Sequence, residues 1–235
     1  MWRRCRWAAA LLILPFSLRT HGAEFQGSAG ISSDDIFRGL TLSHGNPSAF
    51  ADVHGIGNHW VGGISAQTVR LVGRDSTQAQ LIAHLGYVQP INTDWTAQLN
   101  VRHYDYPWAP YRSRYDYDEL SAELGFQNRL SLTIIGSPND YAYSDRRHYG
   151  RGAAIAAELA GQLPLSYGFE AQFGLGYQDL QQQVGAGYAY WSAGIMWRWH
   201  ALALAAAYIG TDGTAQRLFG TRAGNRGVAT VMWLF

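Results

Sequence analysis

Strict period-two alternation of apolar side chains is the feature that most constrains what this chain can fold into. Leu81, Ala83, Leu85 and Tyr87 alternate with Gln80, Ile82, His84 and Gly86. Trp95, Ala97, Leu99 and Val101 alternate with Thr96, Gln98, Asn100 and Arg102. The pattern recurs in Leu120 to Phe126 against Glu119 to Gly125, and in Phe169 to Tyr177 against Glu170 to Gly176. Such runs are strands with one apolar and one polar face, and the apolar face must meet lipid or a core. Weaker runs at 25–33, 48–57, 60–68, 130–136, 153–161, 188–199, 201–209 and 226–235 complete the set. The Ala-rich stretches 153–160 and 201–207 would also suit a helix, but Pro164 and Gly210 close them at strand length.

The connections sort into two kinds. Long polar segments fall near 34–46, 69–77, 105–116, 137–151, 178–187 and 210–225, and short links near 58–59, 90–94, 127–129, 162–167 and 200. The two kinds alternate along the chain, the pattern of long external loops and tight periplasmic turns. Trp60, Tyr87, Trp95, Phe126, Phe169, Trp197, Trp199 and Trp233 fall at the short-link ends, and Tyr104, Tyr117, Tyr177, Tyr188 and Tyr208 at the long-loop ends. Two aromatic girdles are expected where strands cross the two membrane interfaces. The expected fold is therefore all-β: a transmembrane, antiparallel up-and-down barrel of about 12 strands over residues 24–235, in the outer membrane of a Gram-negative bacterium. Gly227, Ala229, Val231, Trp233 and Phe235 alternate up to the last residue. This resembles the final-strand signal read by the barrel-assembly machinery, which is the expected partner at Phe235.

The start of the chain fits that compartment. Arg3, Arg4 and Arg6 precede an apolar run from Trp7 to Phe16, and Gly22 and Ala23 supply a small-residue exit. Residues 1–23 read as a secretory signal peptide; the run is too short for a membrane-spanning anchor. After residue 23 no stretch of about 18 apolar residues follows, so no transmembrane helix is expected. Loss of Arg3, Arg4, Arg6 and Arg19 takes 18 basic residues to 14 against 17 acidic, a net charge of −3. That balance leaves no electrostatic footprint for nucleic acid. The single cysteine, Cys5, lies in the signal, which excludes a disulfide, a thiol nucleophile and a thiolate metal site from the rest.

One segment has a family likeness. Ser33-Asp34-Asp35-Ile36-Phe37-Arg38-Gly39-Leu40-Thr41, with Pro47 and Gly55 after it, resembles the TorF-like porin family, whose members often open with Tyr-x-Phe-Arg-Gly. Tyr117-Asp118-Glu119-Leu120 is similar to a second stretch of that family. Asp35 stands where a Tyr is usual and Ile64 where a Trp is common. The resemblance implies a single-domain outer-membrane barrel and carries Phe37, Arg38 and Gly39 over as a family motif without a role.

Alternation puts Asp52, His84, Arg102, Glu119, Glu123, Glu158, Glu170 and Arg198 on the inner face, as candidates to line a pore. An interior screened from lipid is polar in any case, and Arg–Glu pairs can simply fill a small lumen. The excess of Glu over Arg speaks against a lumen built for acidic sugars. Loop 105–116, rich in aromatics and Arg, suits either an inward constriction or an ordinary external cap. Asp105, Asp116, Asp118 and Glu119 supply hard oxygens suited to calcium, but no Gly-anchored ligand loop accompanies them, so no metal is expected. Arg146, Arg147 and Arg151, with His148, suit phosphate, hence contact with lipid and lipopolysaccharide headgroups. Ser43-His44-Gly45-Asn46 with His148 has the residue types of a lipid hydrolase but no motif with mechanical content, and no cofactor fingerprint is present. The expected function is passive diffusion of small solutes, with no covalent step. A closed or adhesin-like barrel, binding lipid, surface polymer or a partner through its loops, is the alternative, and an outer-leaflet lipid-modifying enzyme the third.

Overall fold

The computed structural model describes residues 18–20, 23–70, 77–109, 115–144 and 147–235. The expected signal segment lies for the most part outside them. Twelve antiparallel strands close into a barrel: β1 Ala23–Ser32, β2 Ser48–Gly57, β3 Trp60–Val69, β4 Gln78–Pro90, β5 Trp95–Asp105 and β6 Tyr117–Phe126. They continue as β7 Leu130–Ser144, β8 Arg147–Pro164, β9 Phe169–Leu180, β10 Ala186–Trp199, β11 Leu202–Thr211 and β12 Arg226–Leu234. Each strand pairs with the next, and β12 returns to β1, where Thr230 faces Ser32 and Leu234 faces Ser28. Backbone bonds between Gly27 and Phe235, 2.7 and 3.0 Å long, carry the seam to the last residue. A closed ring leaves no strand edge unpaired, which a bilayer demands.

Both Ala-rich segments are strands, inside β8 and β11. Their small side chains pack on a pleated wall because the neighbouring strands supply the partners that an isolated helix lacks. The short links hold left-handed residues, among them Asn58, Gln127, Asn128, Tyr167 and His200, as tight turns require. Strands β7 and β8 continue to Ser144 and from Arg147, so the expected loop 137–151 is largely an extended hairpin arm. Among the described residues of the long connections lie two α-helices, α1 Gln181–Val184 and α2 Gly213–Phe219; Asp212 caps α2 by accepting from the Ala215 amide.

The outer face is apolar and exposed: Ile64 is 68%, Ile31 and Ile155 are 60% and Trp233 is 58% accessible. A surface of that kind aggregates in water and is at home in lipid. The aromatics at the short-link ends point outward, in line with one girdle. At the other end only Tyr177 and Tyr208 do so. Tyr104, Tyr117 and Tyr188 turn inward and are buried, correcting the expected second girdle. The reason is parity: Tyr104 shares the face of Arg102, Tyr117 that of Glu119, and Tyr188 that of Tyr190.

Candidate functional site

The segment between β1 and β2 folds back into the barrel at its long-loop end. Ile36–Phe37 and Leu40–Thr41 form a miniature hairpin turned by Arg38 and Gly39, both left-handed, with φ of 49° and 78°. Two positive φ values in a two-residue turn match the tight hairpin geometry that suits strand twist. Gly39 is required twice over: a Cβ there would lie 2.5 Å from Thr211 Cγ2 and 2.7 Å from Tyr190 Cβ. Asp34 ties the base of the loop. Its Oδ1 accepts from Thr41 Oγ1 at 2.5 Å, Ser43 Oγ at 2.6 Å and the Gly45 amide at 3.2 Å, and its Oδ2 pairs with Arg226 at 3.0 Å. Ser43 is thus a buried loop tie whose hydroxyl lies on a carboxylate and on the Asn46 carbonyl. The side chain of His148, its suggested catalytic partner, lies outside the described residues.

The hairpin carries Arg38 to the polar wall opposite. The guanidinium meets Glu119 through Nη2 at 2.8 Å and Glu158 through Nε at 3.3 Å. Only 6% of the Arg38 side chain is exposed, against 1% for Glu119 and 18% for Glu158. Its Cζ lies 4.5 Å from the centre of the Phe37 ring. Tyr104 donates to Glu119 Oε2 at 2.9 Å, and Arg102 stands 3.9 Å from the same oxygen. Tyr190 donates to Glu158 Oε1 at 2.6 Å. That last contact reaches across a whole strand, because Gly176 lies between Glu158 and Tyr190 in the ladder. A Cβ on Gly176 would lie 2.3 Å from the Tyr190 ring, so only glycine lets the ring lie over β9. The Tyr188 hydroxyl lies 3.1 Å from the Arg38 carbonyl and 2.8 Å from Gln178 Oε1, holding the turn from behind.

Two apolar clusters flank the hairpin. On one side Phe37 and Leu42 pack on Val69, Tyr104, Tyr106, Ala109 and Tyr117. On the other, Leu40 packs on Leu180, Tyr188 and, from α2, Ala215 and Phe219. Loop 105–116 therefore does send Tyr106 and Ala109 inward, while residues 110–114 lie outside the described set. Between the clusters remains a cavity of about 110 Å³ bordered by Gln80, Asp140, Gln178 and Arg222.

The remaining inward residues form smaller groups. Asp52 and His54 are buried and bonded at 2.8 Å, with His84 6.4 Å from His54 ring to ring. Glu123 accepts from Thr133 Oγ1 at 3.3 Å. Glu170 pairs with Arg198 at 3.2 Å near the short-turn rim. The oxygens considered for calcium are dispersed. Asp118 bonds His103 on the outer face at 2.8 Å, whereas Glu119, the next residue along the strand, points inward. Among the described residues no group of His, Asp and Glu is placed to hold a metal ion. Arg151 donates to the Asp116 carbonyl. Arg146 lies outside the described residues, as does the side chain of Arg147.

A family model described as bacterial protein of unknown function (Gcw_chp) matches residues 19–235. The chain belongs to that family. No curated protein matches this Gcw_chp chain in sequence. Solved structures share its architecture. The NanC porin superposes with a TM-score of 0.59 at 10% identity, over 88% of this chain and 97% of that one. An outer membrane channel from Pseudomonas putida gives 0.50 at 11% identity, over 93% and 97%. The Gcw_chp chain thus shares the closed antiparallel β-barrel fold of those outer-membrane structures.

Four contributors to the inner site have no place among the sequence candidates: Tyr104, Tyr188, Tyr190 and Gly176. Parity with Arg102 was a signal for Tyr104, and alternation along β10 one for the other two tyrosines. For the meeting of Arg38 with Glu119 and Glu158, separated from it by 81 and 120 residues in sequence, no sequence signal exists.

Proposed function

We propose that this barrel is a narrow passive channel for small solutes, constricted from within by the hairpin that ends on Arg38. One observation carries the reading: a loop-borne cation is held across the lumen by carboxylates that belong to the wall. Fixed wall charges with an inward loop are how pores select by charge and size. On this reading Glu119, Glu123, Glu158 and Arg102 line the constriction, Asp52 and His84 another stretch of the same wall, and Glu170 and Arg198 the short-turn mouth. The likeness of Phe37-Arg38-Gly39 to TorF-like porins agrees with it. Binding of lipopolysaccharide headgroups by Arg146, Arg147 and Arg151, and engagement of the assembly machinery by the strand ending at Phe235, belong to the same proposal.

Planar-bilayer recording with the purified full-length protein tests this. Discrete current steps that change in size and ion preference with Glu123→Gln or Arg102→Gln are the expected result. The two apolar clusters that flank the hairpin favour one competing reading, a closed barrel that binds through its loops. Electrical silence from a folded barrel would select it.

A further inference from the structure

Arg38 arrives on a loop, but the site that receives it is built by the wall. Glu119 is oriented by Tyr104 and Glu158 by Tyr190, and neither tyrosine belongs to the hairpin. The two carboxylates therefore stay aimed at the same point whether Arg38 is there or not. Buried carboxylates facing one another without a cation are strongly disfavoured. Without Arg38, the group formed by Arg102, Glu119, Glu123 and Glu158 has one cation against three carboxylates. A cation in the place of Arg38 spares those carboxylates the proton they would otherwise have to take up.

The geometry narrows the class further. One planar cation touches two different carboxylates: Nε donates to Glu158 at 3.3 Å, and Nη2 lies 2.8 Å from Glu119 Oε1 as an ion pair. A flat cation with its charge spread over three nitrogens spans both carboxylates and still has an N–H for Glu158, which a quaternary ammonium lacks. The Phe37 ring beside Cζ adds a surface suited to a flat cation. Tyr188 holds the occupant's carbonyl, and the left-handed φ of 49° at a residue with a side chain is a mildly strained state.

We infer that the Glu119–Glu158 clamp is the solute-selective site of the channel and takes guanidinium-bearing cations, which cross by exchanging places with Arg38. The inference rests on the channel reading above. Exchange of one cation for another never leaves the carboxylates bare, which lowers the barrier for such solutes and withholds that advantage from anions and neutral molecules.

The test uses full-length protein in planar bilayers: the natural sequence, Arg38→Ala, and the double variant Glu119→Gln with Glu158→Gln. Heat-dependent gel mobility verifies that each is folded. Arg38→Ala is expected to carry several-fold more current, with a reversal potential shifted toward potassium in a KCl gradient. Methylguanidinium should block that current at about tenfold lower concentration than tetramethylammonium, and the preference should vanish in the double variant. If Arg38→Ala does not fold, Arg38→Lys keeps the charge while losing the flat group, and the same preference for methylguanidinium is expected of it. Equal block by the two cations in a conducting variant overturns the guanidinium site and leaves the channel standing. Silence from every folded variant overturns the channel, and the exchange with it.

Discussion

The two walls of the lumen differ sharply. From β2 to β8 the inward positions hold Asp52, His54, His84, Gln98, Asn100, Arg102, Glu119, Glu123 and Glu158. From β9 to β11 small residues are common, Gly174, Gly176, Ser192, Gly194, Ala203, Ala205 and Ala207, set among Gln172, Gln178, Leu180, Tyr188, Tyr190, Met196, Ile209, Thr211 and the Glu170–Arg198 pair near the rim. One wall supplies charge and the other supplies room. The hairpin tip needs both. Gly39 fits against the roomy wall, and Arg38 reaches the charged one. The lesson is that a constriction can be made by a short loop if one wall is pared down to receive its backbone.

Filling the roomy wall is expected to have the largest effect. Ala207→Trp places an indole in the lumen opposite the charged wall and should cut single-channel conductance by about tenfold or more. Ala206→Trp, one residue away and facing lipid, should change it little; equal effects would mean that the two walls do not divide the labour. Next comes Gly39→Val, which adds atoms where Thr211 and Tyr190 already stand and imposes a branched residue on a φ of 78°. With roughly 1–3 kcal/mol of strain, the tip should leave its seat and conductance rise a few-fold. Unchanged currents would show that the tip does not obstruct the path.

A smaller effect is expected from Tyr190→Phe, which removes a hydroxyl from Glu158 at a cost of about 1–2 kcal/mol. Open events should become somewhat more frequent, with the same ion preference, because Glu158 keeps its charge. The smallest effect concerns pH. Burial and the neighbouring Asp34 push Asp35, in the inward loop, up from 3.8 to about 7. Its carboxyl accepts from Gln67, with Asp34 and the Tyr106 phenol as the nearby titratable groups. Because the seated loop keeps this proton while a released loop loses it, seating is strongest below about pH 4. It weakens as pH rises to about 7, and is constant above that. Closed times should therefore shorten between pH 4 and 7, and Asp35→Asn should abolish the trend.

Much of the barrel was legible because its signals are local. Alternation in stretches such as Leu81 to Tyr87 sets which side chain meets lipid, and polar residues such as Arg102 and Glu119 follow by parity. The same rule placed Tyr104 and Tyr117 inside, although their position at the strand ends suggested an interface. The strands reaching to Ser144 and from Arg147 were hidden because their Tyr- and Arg-rich stretch lacks the apolar rhythm that marks lipid contact. Beyond the bilayer that rhythm has no reason to persist.

By itself, then, the sequence determined the closed barrel, the number of its strands and the lipid-facing side, since period-two patterning and turn lengths act between neighbours in the chain. Only the tertiary structure decided that Phe37-Arg38-Gly39 would turn inward, and that Arg38 would meet Glu119 and Glu158. Those contacts join strands on different sides of a ring. Their strength comes from burial and from the space left by Gly39 and Gly176, which no local pattern encodes.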